Sequence, residues 1–338
     1  MSLDRETEAL IRSWMQHDRA MLRDYLVRDV QDPRLNVQSI LARHFLIERL
    51  FPGRFGQLME QELRFGAAMN WLLCLSKSPD AAARAPLVFD ALLADAEDPA
   101  DSLLPRYLVE TCAALPADAD GLPVPDYIGD LLAWLAARAD EATLPEPVLQ
   151  TFQHLWSHAL AAETVPEPRP AVLEIACGSA NDYRFFDAFG LARFIEYTGV
   201  DLCEKNVVNA RSMFPGVRFD VGNALRLDAP DAAYDYVIAS DLYEHLSVEA
   251  MEAAVAETCR VTRREACILF FSMQEAAEHV VRPIDEYHIN VVAMDAVRQL
   301  FLRGAKAVEA ISVDELLRRR LGCDDTPNKR AWVFTVTK

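Results

Sequence analysis

No run of about 18 consecutive apolar residues occurs anywhere in this chain, so a membrane-spanning helix is not expected, even though 51% of its 338 residues are hydrophobic. The N-terminus, Met1-Ser2-Leu3-Asp4-Arg5-Glu6, is charged and lacks an apolar export core. A soluble, cytoplasmic protein is the expectation. The cysteines at 74, 112, 177, 203, 259, 267 and 323 form no C-x-x-C pair. That argues against redox or metal work and for small buried hydrophobes; no metal ligand set is expected. Basic residues are in short supply, with 34 Lys+Arg against 52 Asp+Glu and a net charge of −18. Such a surface repels phosphate backbones and makes a nucleic-acid substrate unlikely to bind. Internal repeats and low-complexity tracts are absent.

Proline divides what remains. Val165-Pro166-Glu167-Pro168-Arg169-Pro170 cannot continue a helix and is read as a linker. Before it, helical spacing dominates: Val37, Ile40, Leu41, His44, Ile47 and Phe51 fall on one face, with Asp32-Pro33 as cap and first turn. Further helix starts are marked by Ser78-Pro79-Asp80 and Glu146-Pro147, and loops by the segment from Leu115-Pro116 to Pro125. Residues 1–165 are therefore expected to form an all-helical domain. After the linker, residues 166–338 alternate strands with helices, the pattern of a doubly wound α/β sheet. Strands are expected at 171–176, 195–200, 217–221, 235–240, 266–272, 306–312 and 331–337.

The richest segment is Val172-Leu173-Glu174-Ile175-Ala176-Cys177-Gly178-Ser179-Ala180-Asn181, an apolar strand running into a small-residue turn and a helix. Glu174 lies inside the apolar run, where a carboxylate is costly without strong donors. Gly178 leaves the backbone open to a ligand. The next strand ends at Asp201-Leu202, an acid placed to accept two hydrogen bonds from a ribose diol. Nicotinamide dinucleotides would also need G-x-G-x-x-G to reach a pyrophosphate. Ala176-Cys177-Gly178-Ser179-Ala180 has the wrong spacing and one glycine, so a ligand without phosphate fits better. Two more strand ends follow, at Gly222-Asn223-Ala224 and at Ser240-Asp241-Leu242-Tyr243-Glu244-His245-Leu246.

In that order, these four segments resemble the class I S-adenosylmethionine-dependent methyltransferases over roughly the C-terminal half of the chain. The resemblance implies a seven-stranded Rossmann-like sheet whose last two strands form an antiparallel pair at one edge, and S-adenosylmethionine as cofactor. It implies that Glu174 and the turn 176–180, with Ala176, Gly178 and the following Asn181, face the methionine part. Asp201 and Leu202 would serve the ribose and Asn223 and Ala224 the adenine. The 240–245 segment, beginning Ser240-Asp241, would border methionine and acceptor. Ala176 and Ala180 stand where the family commonly has glycine, which leaves open how the methionine end is held.

Candidates for chemistry lie beyond the strand ends. Tyr243, Glu244 and His245 follow the fourth strand, and Tyr287-His288-Ile289-Asn290 follows the fifth. Tyr243, Glu244, His245, Tyr287 and His288 are candidate catalytic groups that would orient or deprotonate a reacting atom. His245 alternatively packs the next helix. Asn290 and, on the apolar segment 65–75, Asn70 are candidate substrate contacts; Asn70 is equally a satisfied core amide. His44 is read as a core histidine. Trp14, Trp71, Trp134 and Trp156 are read as packing rather than as a cage for a sulfonium. Arg318-Arg319-Arg320 reads as a solvated helix end.

The expectation for function is methyl transfer to a small-molecule acceptor, with the helical half as a lid supplying the acceptor pocket. The alternative inside the superfamily is an azetidine-2-carboxylate synthase, a cyclase in which the cofactor's own amine expels methylthioadenosine. A third reading is a non-catalytic cofactor-binding protein.

Overall fold

Apolar side chains line both faces of the central strands, and burial on both faces is what a parallel sheet between two helical layers requires. The computed structural model of the protein describes residues 34, 36–76, 150–284, 287–321 and 328–338. Within these, β1 (Ala171–Ile175), β2 (Glu196–Asp201), β3 (Arg218–Val221), β4 (Tyr234–Ser240), β5 (Thr262–Phe270), β10 (Ala307–Ser312) and β11 (Trp332–Thr337) build one seven-stranded sheet. Its order is β3-β2-β1-β4-β5-β11-β10. Strands β1 to β5 are parallel, and β11 runs antiparallel to both β5 and β10. This is the α/β sheet expected from the sequence, with its antiparallel edge pair.

Helices α4 (Asn181–Ala188) and α5 (Glu204–Met213) follow β1 and β2, and α6 (Val248–Val261) and α7 (Met294–Leu302) flank β5. Val172, Tyr197 and Ile238 face a core shared with α4 and α5, while Leu173, Val237 and Ile268 face one shared with α6 and α7. The expected strand positions agree with the sheet to within a residue or two, except that β5 begins at Thr262 rather than at 266. Its first residues, Thr262-Arg263-Arg264-Glu265, include two exposed arginines, and they run on from α6 without a loop. Arg263 and Arg264 both pair with Asp235 of β4, at 3.2 Å, so ion pairs carry a strand end that hydrophobicity does not mark.

Three helices of the N-terminal half are described: α1 (Val37–Leu50), α2 (Gly56–Ser76) and α3 (Thr151–Ala161). Helix α1 is capped by Asn36, its Oδ1 accepting from Gln38 N at 3.0 Å and Ser39 N at 3.3 Å; Asp32-Pro33, the expected cap and first turn, lie outside the described residues. The expected face is buried at Val37, Ile40, His44 and Ile47. So are Gln38, Arg43, Phe45 and Leu46, because α1 lies across the sheet instead of on its own. Gln38 Nε2 donates to Phe270 O at 2.7 Å, and Arg49 pairs with Glu265 at 2.9 Å. These contacts at opposite ends of β5 run α1 antiparallel to that strand. Phe45 meets Tyr236 of β4 edge-on at 5.9 Å. Segment 165–170 has no helix or strand, in keeping with a linker.

Between β5 and α7 the chain makes short strands β6 (Met273–Gln274), β7 (Pro283–Ile284), β8 (Tyr287–His288) and β9 (Val292–Ala293). Strands β7 and β8 form an antiparallel hairpin, closed at its base by a bridge between Val280 and Val291. Helix α8 (Val313–Leu321) fills the connection between β10 and β11. Its last turn is not merely solvated, since Arg320 Nε reaches Glu60 of α2 at 3.1 Å. No described helix is long and apolar enough to cross a membrane.

Candidate functional site

The turn after β1 folds back through left-handed backbone at three positions: Ala176 at φ 61°, Gly178 at 54° and Ala180 at 64°. Such angles favour glycine, and two alanines adopt them here. The residue identities depart from three glycines; the conformation does not need them. At Gly178 an added Cβ would lie 2.7 Å from Asn181 Nδ2, so the Asn181 side chain would have to move. The folded-back turn aims Gly178 N at Asp201, the last residue of β2, whose Oδ2 accepts that bond at 2.8 Å. Asp201 Oδ1 accepts from Cys203 N at 2.8 Å and from Asn206 Nδ2 at 3.2 Å. About four acceptor sites belong to a carboxylate, so these three bonds fix Asp201 and leave capacity for another donor.

Behind the turn lie two further acids. Glu174 is buried and accepts from Tyr197 Oη at 2.5 Å. Asp182, on the first turn of α4, is buried and accepts from Ser240 Oγ at the end of β4 at 3.3 Å. Burial holds the Glu174 carboxyl well above its ordinary range, and the neighbouring Asp182 and Asp201 add to the effect. Burial likewise raises Asp182, against the opposing pull of Arg43. Three carboxylates thus converge on the turn from β1, β2 and α4. Burial, with these acids, also drives the Cys177 thiol upward, so it is no nucleophile. Among the described residues, no group of three or more His, Cys, Asp or Glu is placed to hold a metal ion.

The remaining expected cofactor contacts line the same edge of the sheet. Leu202 is exposed just beyond Asp201, and Asn223 and Ala224 follow β3, whose Val221 is paired in register with Asp201. Asn223 Oδ1 accepts from Leu225 N at 2.9 Å, closing an exposed turn. Asp241 is exposed at the end of β4, at φ 52°. A cavity of about 380 Å³ lies elsewhere, on the sheet face of Leu173 and Val200 beside Asp220 and Tyr234, and contains none of the three buried acids.

The expected catalytic groups part ways. Tyr243 is fully buried in the core of α6 and α7, its hydroxyl paired with Thr258 Oγ1 at 2.8 Å, so it does not present that hydroxyl at the strand ends. His245 places Nδ1 2.9 Å from His288 O and Nε2 3.0 Å from Asp241 Oδ1. Both partners accept, which suits the imidazolium. Burial pushes its pKa down, but Asp241 and the His288 carbonyl push it further up, and the net shift is upward. Asn290 is spent within the chain: its Nδ2 donates to Leu246 O at 2.8 Å and its Oδ1 accepts from Arg282 N at 3.0 Å. It anchors the hairpin to the segment after β4. The His288 backbone serves the same purpose. The side chains of Tyr287, Asn70 and Trp71 lie outside the described residues, as do Trp14, Trp134 and the segments at 78–80, 115–125 and 146–147.

Sequence reasoning missed Asp182, Tyr197, Asn206 and Glu62. Glu62 of α2 is buried and accepts from Arg43 at 2.8 Å, from Trp156 Nε1 of α3 at 2.6 Å, and pairs with His44 Nε2 at 2.6 Å. Burial opposes its ionisation, but Arg43 and His44 hold it down at about 2. His44 is thus the core histidine expected, and Trp156 packs against it at 6.1 Å between ring centroids. Arg43, which also stacks on Phe189 at 4.2 Å, carries positive charge from this knot toward Asp182.

Residues 172–265 match a family described as "Methyltransferase domain". This portion of the chain is similar to a methyltransferase domain. The match spans β1 to the start of β5 and so takes in the turn, the three acids and Glu244. Solved structures similar to this chain include a TehB-like S-adenosylmethionine-dependent methyltransferase from Corynebacterium glutamicum, with 16% identity over 66% of this chain and 99% of that one, TM-score 0.37. An S-adenosylmethionine-dependent methyltransferase from Mesorhizobium loti has 13% identity over 54% and 95%, TM-score 0.38. The [4+2]-cyclase SpnF has 13% identity over 57% and 82%, TM-score 0.37. At these values the likenesses add nothing to the strand order, which defines the fold by itself. A comparison with curated proteins gave no match.

Proposed function

We propose that this methyltransferase-type domain binds S-adenosylmethionine and transfers its methyl group to a small-molecule acceptor. The observation that carries the reading is the convergence of Glu174, Asp182 and Asp201 on one turn. Buried acids that raise one another's pKa favour a cation beside them, and S-adenosylmethionine brings a sulfonium and an α-ammonium without phosphate. The residues fit that ligand. Asp201 would take a ribose hydroxyl, Glu174 and Asp182 would face the cationic methionine end, and Asn223-Ala224 would border the adenine. When bound, the cofactor supplies an electrophilic methyl carbon. The chain's part is to orient it, since in-line displacement depends mainly on approach geometry, and to keep water away. Helix α1 is fastened to the carboxyl end of β5 by Gln38.

Mass spectrometry of S-adenosylmethionine incubated with the purified protein tests the reaction type. With no acceptor the cofactor should remain intact, and S-adenosylhomocysteine should accumulate only when an acceptor is supplied. Methylthioadenosine formed without an acceptor, above the spontaneous background, would replace this reading with intramolecular cyclisation.

A further inference from the structure

Glu244 stands apart from the other expected catalytic groups. It lies in the short helical turn Tyr243–His245 just beyond β4 and is 1% exposed. Its Oε1 accepts from Phe271 N at 2.7 Å. The carbonyl on the other side of that residue pair, Phe270 O, is the one that accepts from Gln38 of α1. Glu244 and the N-terminal helices therefore grip the same point at the carboxyl end of β5. The hairpin closes over the third side, with Asn290 N donating to Glu244 O at 3.0 Å. Yet Glu244 Oε2 is buried with no hydrogen-bond partner among the described residues.

A native structure rarely leaves a buried carboxyl oxygen without a donor, and such an atom needs an explanation. Packing is not one, because a glutamine or an apolar residue would fill the space without an acid. Its neighbours exclude the alternatives. Tyr243 donates to the core, and both nitrogens of His245 are engaged by Asp241 and His288. The charged groups that face Glu244 are Asp241 and His245 of its own segment; Phe271 and Asn290 bring backbone N–H groups from β5 and the hairpin.

We infer that Glu244 Oε2 is the group that takes the proton from the acceptor's nucleophile. This rests on the methyl-transfer reading above and specifies its acceptor as an amine or hydroxyl, X–H. In the step, the lone pair of X forms the bond to the methyl carbon. The carbon–sulfur bond breaks with its electron pair left on sulfur, and the proton of X passes to Glu244. Burial, with the charge of Asp241, places the Glu244 carboxyl at about 7, where it accepts a proton near neutral pH without being a strong acid.

Binding tests this without knowledge of the acceptor. Sinefungin carries an amine where S-adenosylmethionine carries its transferable methyl, and S-adenosylhomocysteine carries nothing there. Calorimetry should show the preference of the protein for sinefungin over S-adenosylhomocysteine rising with pH through about 7. In Glu244→Gln that preference should fall about 10- to 100-fold and lose its pH dependence, while S-adenosylhomocysteine affinity holds. A preference that is flat with pH in the native protein, or unchanged in Glu244→Gln, overturns the inference. Should Glu244→Gln fail to fold, the pH profile of the native protein decides alone, a flat preference overturning the inference and one rising through about 7 supporting it. If the native protein binds neither ligand, the cofactor reading itself falls, and this one with it.

Discussion

The backbone at Gly178 favours glycine. Its φ of 54° is left-handed, and a Cβ there would press on Asn181 at 2.7 Å. Gly178→Val should therefore lose about 1–2 kcal/mol from backbone strain alone, visible as a lower urea midpoint, and should not bind cofactor. A variant with near-normal cofactor affinity would show that the turn is not the contact. Ala176 and Ala180 teach a different lesson. Read by identity, they are departures from a glycine turn; read by backbone, at φ 61° and 64°, they are the same turn. Sequence reasoning found Glu174 and Asp201 because each is an acid at the end of, or inside, an apolar strand. It missed Asp182 because an acid in a helix's first turn looks like ordinary dipole compensation. Only the fold reveals that Asp182 faces Ser240 across the strand ends. Tyr243 and Glu244 are adjacent in sequence yet differ in partners, the Tyr243 hydroxyl being paired in the core and Glu244 Oε2 having no hydrogen-bond partner among the described residues.

At the scale of elements, the strands were legible because parallel strands buried on both faces read as apolar runs. The start of β5 was not, since Arg263 and Arg264 are held by Asp235 instead of by burial. The joining of α1, α2 and α3 through Glu62 was equally hidden, as Trp156 lies 94 residues from Glu62 along the chain. Removing one member of a buried ion pair costs about 3–5 kcal/mol, so Glu62→Ala should be destabilised by roughly that amount in chemical denaturation. The pH dependence has a definite sign. Glu62 is depressed to about 2 in the folded protein. Its contribution is full above the unfolded carboxyl value of about 4.3 and is lost as pH falls toward 2. Native protein should therefore lose stability across that acid window more steeply than Glu62→Ala. Equal slopes would mean that Glu62 is not ionised in the fold. Glu174 and Asp182, raised by burial, act oppositely: they oppose folding as pH rises, until a bound cation relieves them.

For the whole molecule, the N-terminal helices and the α4–α5 face of the sheet share one continuous core, from Ile40, Leu46 and Trp156 to Phe186 and Tyr197. The sequence pointed to two units joined at a proline linker. The described part of the first unit is packed on the second, with Gln38 at the carboxyl end of β5 and Arg43 directed toward Asp182. Ligand binding at the acids should reach these helices, so hydrogen exchange should slow within residues 37–50 when S-adenosylhomocysteine binds. Protection confined to residues beyond 170 would leave α1 as scaffold only.

The central claim is that the turn after β1 and the acid after β2 together hold S-adenosylmethionine. Calorimetric titration of the native protein and of Asp201→Ala with S-adenosylhomocysteine tests it most directly. The account predicts one site per chain, and an affinity about 10- to 100-fold weaker in the variant, as expected for loss of a charged hydrogen-bond acceptor. No binding by the native protein, or equal affinity in a folded Asp201→Ala, would contradict it.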